Sequence, residues 1–116
     1  MQIAERLCDQ ILAGEYAEAS RVPSVREVAA QLEVNPNTVV RSFDYLQNSG
    51  IIFNKRGMGY FVAQGAIEEI RIMRKNIFMQ ETLPQLFAEM NKIGLTMADI
   101  SEQYNKYNNE ITNKTK

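Results

Sequence analysis

The chain has 116 residues, of which 45% are hydrophobic and 23% charged, and it carries a formal net charge of −1. That length holds one domain, or a small domain with an appendage, and the balance excludes an intrinsically disordered chain. No apolar run approaches the roughly 20 residues needed to span a bilayer, and the start Met-Gln-Ile-Ala-Glu-Arg places charge where a secretory signal would have its apolar core.

The lone cysteine, Cys8, cannot form an internal disulfide, so a reducing, cytoplasmic setting is expected. The chain has no histidine, and carboxylates alone are poor ligands for transition metals, so neither a metal nor a cofactor is expected. Residues 1–62 hold six Lys/Arg against seven Asp/Glu, with five of the acids before residue 28. Any attraction to a polyanion must therefore come from where the cations stand rather than from bulk charge.

In chain order, Ile3, Leu7 and Ile11 recur at helical spacing with Ala4 and Cys8 beside them. This predicts an amphipathic helix from Gln2 to Ala13, ended by Gly14, with Cys8 as a small core residue. After a loop containing Pro23, Ser24 and Glu27 form a capping box for a second helix. Its buried face is Val25, Val28, Ala29 and Leu32. Arg26 points about 100° from that stripe, toward solvent or a phosphate.

A third helix is predicted from Asn35 as N-cap and Pro36 at the first helical position. At about 100° per residue, Val39, Ser42, Phe43 and Leu46 fall on the buried side. Asn37, Arg41, Tyr45 and Asn48 fall opposite, Thr38 at the edge of that set and Val40 between the two. An outward amide, a hydroxyl and an arginine one turn later suit the edges of bases in a DNA groove, because Asn pairs with adenine and Arg with guanine. The competing role for Asn35, Asn37 and Thr38 is helix capping alone.

Gly50 ends the third helix. Ile51-Ile52-Phe53 and Tyr60-Phe61-Val62 then read as two strands around Asn54-Lys55-Arg56-Gly57-Met58-Gly59. The glycines permit positive φ in a tight tip and a close approach of backbone to a phosphate, while Lys55 and Arg56 supply charge. Directly after two such helices, the hairpin reads as a wing.

With these residues in hand, the chain resembles the GntR family of bacterial transcription regulators. The matching runs are Pro23-Ser24-Val25-Arg26-Glu27-Val28-Ala29, Val34-Asn35-Pro36-Asn37-Thr38-Val39-Val40-Arg41 and Lys55-Arg56-Gly57-Met58-Gly59-Tyr60-Phe61-Val62. The resemblance implies DNA contacts from Arg26, from the first turn of the recognition helix at Asn35 to Thr38, and from the wing at Arg56 and Gly57. Joined to the residues read above, the candidate DNA-binding set is Ser24, Arg26, Asn35, Pro36, Asn37, Thr38, Arg41, Lys55, Arg56 and Gly57. The chain departs from the family in the loop Gly14 to Ser24, which usually reads G-E-L-x-P-G-D-R-L-P-S, and at Glu33, where glycine is common. Family chains tend to begin several residues earlier, which suggests that Met1 is an internal methionine of a longer product.

From Ala63 to Lys116 only 54 residues remain, too few for the effector domain of a full-length member. Ile67, Ile70, Met73, Ile77, Phe87, Met90 and Ile93 mark a long apolar stripe, which Pro84 should kink or restart. Gly94 ends it, and Thr96 with Asp99 caps a last helix bearing Met97, Ile100, Tyr104 and Tyr107. From Asn108 onward the chain reads as frayed and disordered. Two helices cannot close a core alone, so a homodimer is expected through Ile70, Met73, Ile77, Phe87, Met90, Ile93, Ile100 and Tyr104. The short tail is similar to that of the YtrA-type subfamily, a resemblance that further suggests control of neighbouring transporter genes and no small-molecule pocket.

The expected architecture is mainly α with a small β-hairpin: a winged helix-turn-helix over residues 1–62 and a two-helix dimerisation tail over residues 63–116. The expected function is a sequence-specific DNA-binding transcriptional regulator, a repressor on a palindromic operator. A winged helix serving as a protein-interaction module is the alternative. An enzyme finds no support, for want of a histidine, a nucleophile–base pair or a phosphate-cradling loop. Nor is a membrane surface expected as partner, because the tail's polar face is mixed in charge rather than basic.

Overall fold

The computed structural model describes residues 2–114. Helix α1 (Gln2–Leu12) turns Ala4, Leu7, Cys8 and Ile11 inward and stops at Gly14, whose φ of 84° is a left-handed value that glycine adopts without penalty. Helix α2 (Val25–Leu32) starts on the expected capping box: the Glu27 N–H donates to Ser24 Oγ at 3.1 Å, and the Ser24 N–H to Glu27 Oε1 at 3.4 Å. It ends at Glu33 in the left-handed region, φ 54° and ψ 47°, where the family pattern has glycine. Helix α3 (Pro36–Asn48) buries Val39, Ser42, Phe43 and Leu46, the four residues phased inward by the sequence. Tyr45, expected outward, is half-buried against the core, because its long ring reaches round the helix to apolar cover.

Strands β1 (Ile52–Lys55) and β2 (Gly59–Val62) pair antiparallel in the register Ile52 opposite Val62 through Lys55 opposite Gly59. Along β2's other edge runs a stretch expected to be loop. The Ala19 and Val22 N–H groups donate to the Val62 and Tyr60 carbonyls, the Val62 N–H donates to the Ser20 carbonyl, and Arg21 bridges to Phe61. Residues 19–22 therefore act as a short third strand beside the wing. Ala19 holds φ at 67°, another left-handed residue where the family has glycine.

Helix α4 (Ala66–Ile77) packs Ala66 and Ile70 into the same core as Leu7, Ile11, Phe43, Leu46, Ile51 and Val62. Arg74 adds an ion pair to Asp9 of α1 at 2.7 Å. One compact unit ends at Lys75, past the boundary expected at residue 62, and a second begins at Asn76.

In the second unit a π-helical turn (Phe78–Thr82) leads into α5 (Leu83–Ile93), with Pro84 in its first turn. The interruption expected at Pro84 thus takes the form of a wider turn. The Leu83 N–H reaches back five residues to the Phe78 carbonyl, giving the proline ring room without stopping the helix. Gly94, at φ 75°, closes α5. Helix α6 (Met97–Lys114) is capped reciprocally by Thr96 and Asp99. Fraying from Asn108 is corrected: the helix continues through Lys114, with Thr112 Oγ1 donating to the Asn108 carbonyl one turn back. Thr115 and Lys116 lie outside the described residues.

Candidate nucleic-acid interface

The first turn of α3 carries the polar groups suited to reading a groove. Asn35 accepts the Asn37 N–H on Oδ1 at 2.8 Å, so its carboxamide oxygen is committed to capping. Asn37, Thr38 and Arg41 are exposed, and among the described residues no side-chain hydrogen bond or ion pair occupies them. Capping thus accounts for Asn35 and leaves the other three unexplained by folding. Pro36 fixes the entry of the helix.

The wing is held against this helix by an edge-to-face contact of Tyr60 on Phe43, with centroids 4.9 Å apart and rings at 78°. Such a pair contributes about 0.5–1.5 kcal/mol beyond its burial. At the tip, the Met58 N–H donates to the Lys55 carbonyl at 2.8 Å, and Gly57 takes φ 79° at the third position of that turn. Lys55, Arg56 and Gly57 are exposed there. On the wing's outer face Phe53 stacks on Phe61 at 5.8 Å, and Lys55 Nζ lies 5.3 Å from the Phe61 ring centre.

Ser24 spends its hydroxyl on the cap of α2, while Arg26 projects from that helix's first turn into solvent. The hydrogen bonds of residues 19–22 to β2 tie the chain just before Ser24 to the wing, and the Phe43–Tyr60 contact ties the wing to α3. Those contacts join the three motifs through one core.

The apolar tail residues divide differently from expectation. Ile70 is 0% exposed within its own chain and Met90 5%, while Met73 is half-buried against the core. Burying an isoleucine or methionine stabilises by about 1.5–3 kcal/mol, and for Ile70 and Met90 that gain is already made inside one subunit. They are withdrawn as interface residues. Ile77, Phe87, Ile93 and Tyr104 are exposed, the last two at 68% and 64%, and Ile100 is half-buried.

Among the described residues no group of His, Cys, Asp and Glu could hold a metal ion, and no helix is long and apolar enough to cross a membrane. Cys8 is fully buried, and burial pushes its thiol pKa up, away from reactivity.

The profile of the bacterial regulatory proteins of the gntR family matches residues 1–62. This chain belongs to the GntR family. Its similarity extends past the winged helix. The HTH-type transcriptional regulator YhcF of Bacillus subtilis is 34% identical over 102 residues, spanning 88% of this chain and 83% of the relative. The HTH-type transcriptional repressor YtrA of the same species is 30% identical over 101 residues, spanning 87% and 77%. The crystal structure of a putative GntR-family regulator from Bacteroides thetaiotaomicron superposes with a TM-score of 0.84 at 44% identity, covering 95% of this chain and 96% of that one. This GntR protein is therefore a DNA-binding transcriptional regulator of the short, YtrA-like kind and not an enzyme. The protein-interaction alternative gives way to DNA binding.

Sequence reasoning missed the pairing of residues 19–22 with the wing. A motif of glycine and aspartate usually marks that loop in the family, and their replacement by Ala19 and Ser20 hid the turn.

Proposed function

We propose that this regulator acts as a homodimeric repressor that reads a palindromic operator. In this reading two symmetry-related α3 helices enter successive major grooves about 34 Å apart. Asn37, Thr38 and Arg41 meet base edges. Arg26 at the start of α2, with Ser24 beside it, and Lys55, Arg56 and Gly57 on the wing hold the backbone. Asn35 and Pro36 set the angle at which α3 enters.

The observation that carries the reading is the outward trio of α3, exposed and with side chains that no hydrogen bond or ion pair occupies among the described residues. The dimer is supported by the exposed apolar residues Ile77, Phe87, Ile93 and Tyr104, which a second copy's tail would cover. Repression is supported by the likeness to a relative named as a repressor. The domain division follows: a reading unit, then a tail from Asn76 that pairs subunits.

Selection of bound fragments from genomic DNA, followed by anisotropy titration at fixed salt, tests the proposal. A palindrome should emerge, and its neighbouring genes would show whether transport is the regulated process. Arg41→Ala and Arg56→Ala should each weaken operator binding by about 1–3 kcal/mol, roughly 5- to 150-fold in Kd. Unchanged affinity in both variants would overturn the assignment of these residues.

A further inference from the structure

We infer that Arg21, which lies outside the three motifs, is an additional contact to the DNA phosphate backbone, held against the wing by the absence of a side chain at Gly59; this rests on the DNA-binding reading of the wing. The backbone of Arg21 is fixed by its bridge to Phe61, with the Val22 N–H donating to the Tyr60 carbonyl at 3.0 Å and the Val62 N–H to the Ser20 carbonyl at 2.9 Å. Its side chain is exposed and passes over the hairpin at Gly59. A Cβ built on Gly59 would stand 3.2 Å from Arg21 Nε, 3.6 Å from Nη2 and 3.8 Å from Cζ. Gly59 is thus the floor on which the guanidinium lies.

The register defines what shares that face. Gly59 is opposite Lys55 and Phe61 opposite Phe53, and residues directly opposite or two apart in a strand point the same way. Arg21 therefore lies on the face that carries Lys55 over the Phe61 ring. Two cations share one small surface, and among the described residues no carboxylate pairs with either. Gathering like charges is unfavourable unless an anion meets them. Arg56, exposed in the adjoining turn, adds a third cation near the tip. A phosphodiester strand running past the wing supplies anions in such a row, and a guanidinium can hold one phosphate with two parallel hydrogen bonds. A contact of this kind adds affinity without sequence preference.

The test uses the full chain with Arg21→Gln, Arg21→Lys, Arg41→Ala and Arg56→Ala. Each is titrated by anisotropy against operator and scrambled duplexes over a series of salt concentrations. Arg21→Gln should weaken both duplexes by the same several-fold factor and reduce the slope of log K against log salt by about 1. Arg21→Lys should restore that slope, which a merely structural role would not produce. A slope unchanged in Arg21→Gln, or a loss confined to the operator, overturns the inference. If Arg41→Ala and Arg56→Ala weaken binding while Arg21→Gln does not, the inference alone falls. If none of the three alters binding, the wing reading falls with it.

Discussion

Replacing Ala19 with glycine should stabilise the protein, although the substitution removes a methyl group. Ala19 holds φ at 67°, where a Cβ crowds its own backbone. A left-handed non-glycine residue costs about 1–2 kcal/mol. Glycine relieves that cost but adds about 0.5–1 kcal/mol of entropy to be lost on folding. Ala19 is exposed, so little burial is forfeited, and the hydrogen bond from its N–H to the Val62 carbonyl is unaffected. The difference spans about 0–1.5 kcal/mol and centres on about 0.75 kcal/mol, which for a unit of this size raises Tm by about 3–6 °C. Thermal melts followed by circular dichroism at one fixed protein concentration provide the measurement, since any self-association makes Tm concentration-dependent. Ala17→Gly, in the same loop but without positive φ, is the control and should lower Tm. A Tm for Ala19→Gly that is unchanged or lower would refute the strain argument.

Three further outcomes follow from burial and capping. Ile70→Ala should cost about 2–5 kcal/mol of stability, as a large-to-small change in a filled core, whereas Ile93→Asp should leave the first unit's melt intact and shift the species in light scattering from the proposed dimer to monomer; the reverse pattern would restore Ile70 to the proposed interface. Hydrogen bonds from the Thr96 backbone N–H and hydroxyl hold the Asp99 pKa below the usual carboxylate range, so its contribution is present above that range and lost as pH falls through the lowered value. Helicity measured by circular dichroism should accordingly fall at strongly acidic pH, and Asp99→Asn should show the loss already at neutral pH; identical acid titrations for the two proteins would dismiss the cap. Cys8, with its thiol pKa raised by burial, should resist iodoacetamide in the native protein and react fully in denaturant, and rapid native labelling would contradict the packing of α1.

What the sequence revealed was local, and what it concealed was not. Ser24 with Glu27, Asn35 with Pro36, and Thr96 with Asp99 each act within four residues, so their spacing alone located three helix starts. The phasing of Val39, Phe43 and Leu46 was equally legible, because helical period and burial coincide. Pairing of residues 19–22 with β2 is a long-range backbone interaction that leaves no side-chain pattern. Without glycine at position 19, the turn signal was missing too. Ile70 was misplaced for a related reason: an apolar stripe announces that it will be covered but not by what. Its own winged helix covers the α4 end of the stripe, and the outward residues beyond it stay bare.

The distribution of partnered charges then explains how a nearly neutral protein can be a DNA binder. The ion pairs among the described residues are Arg71 with Glu68, Arg74 with Asp9, and Lys92 with Glu89, none of them within the motifs proposed to face DNA. Arg21, Arg26, Arg41, Lys55 and Arg56 have no such partner. An exposed pair contributes at most about 1 kcal/mol, so the segregation matters less for stability than for what remains available. Cations left unpaired need no internal bridge to break before meeting phosphate. The seven acids of residues 1–62 meanwhile keep the unit's field weak at a distance. Attraction is therefore short-ranged and depends on groove fit, which lowers affinity for random duplex more than for a site whose geometry brings α3 and the wing into register together.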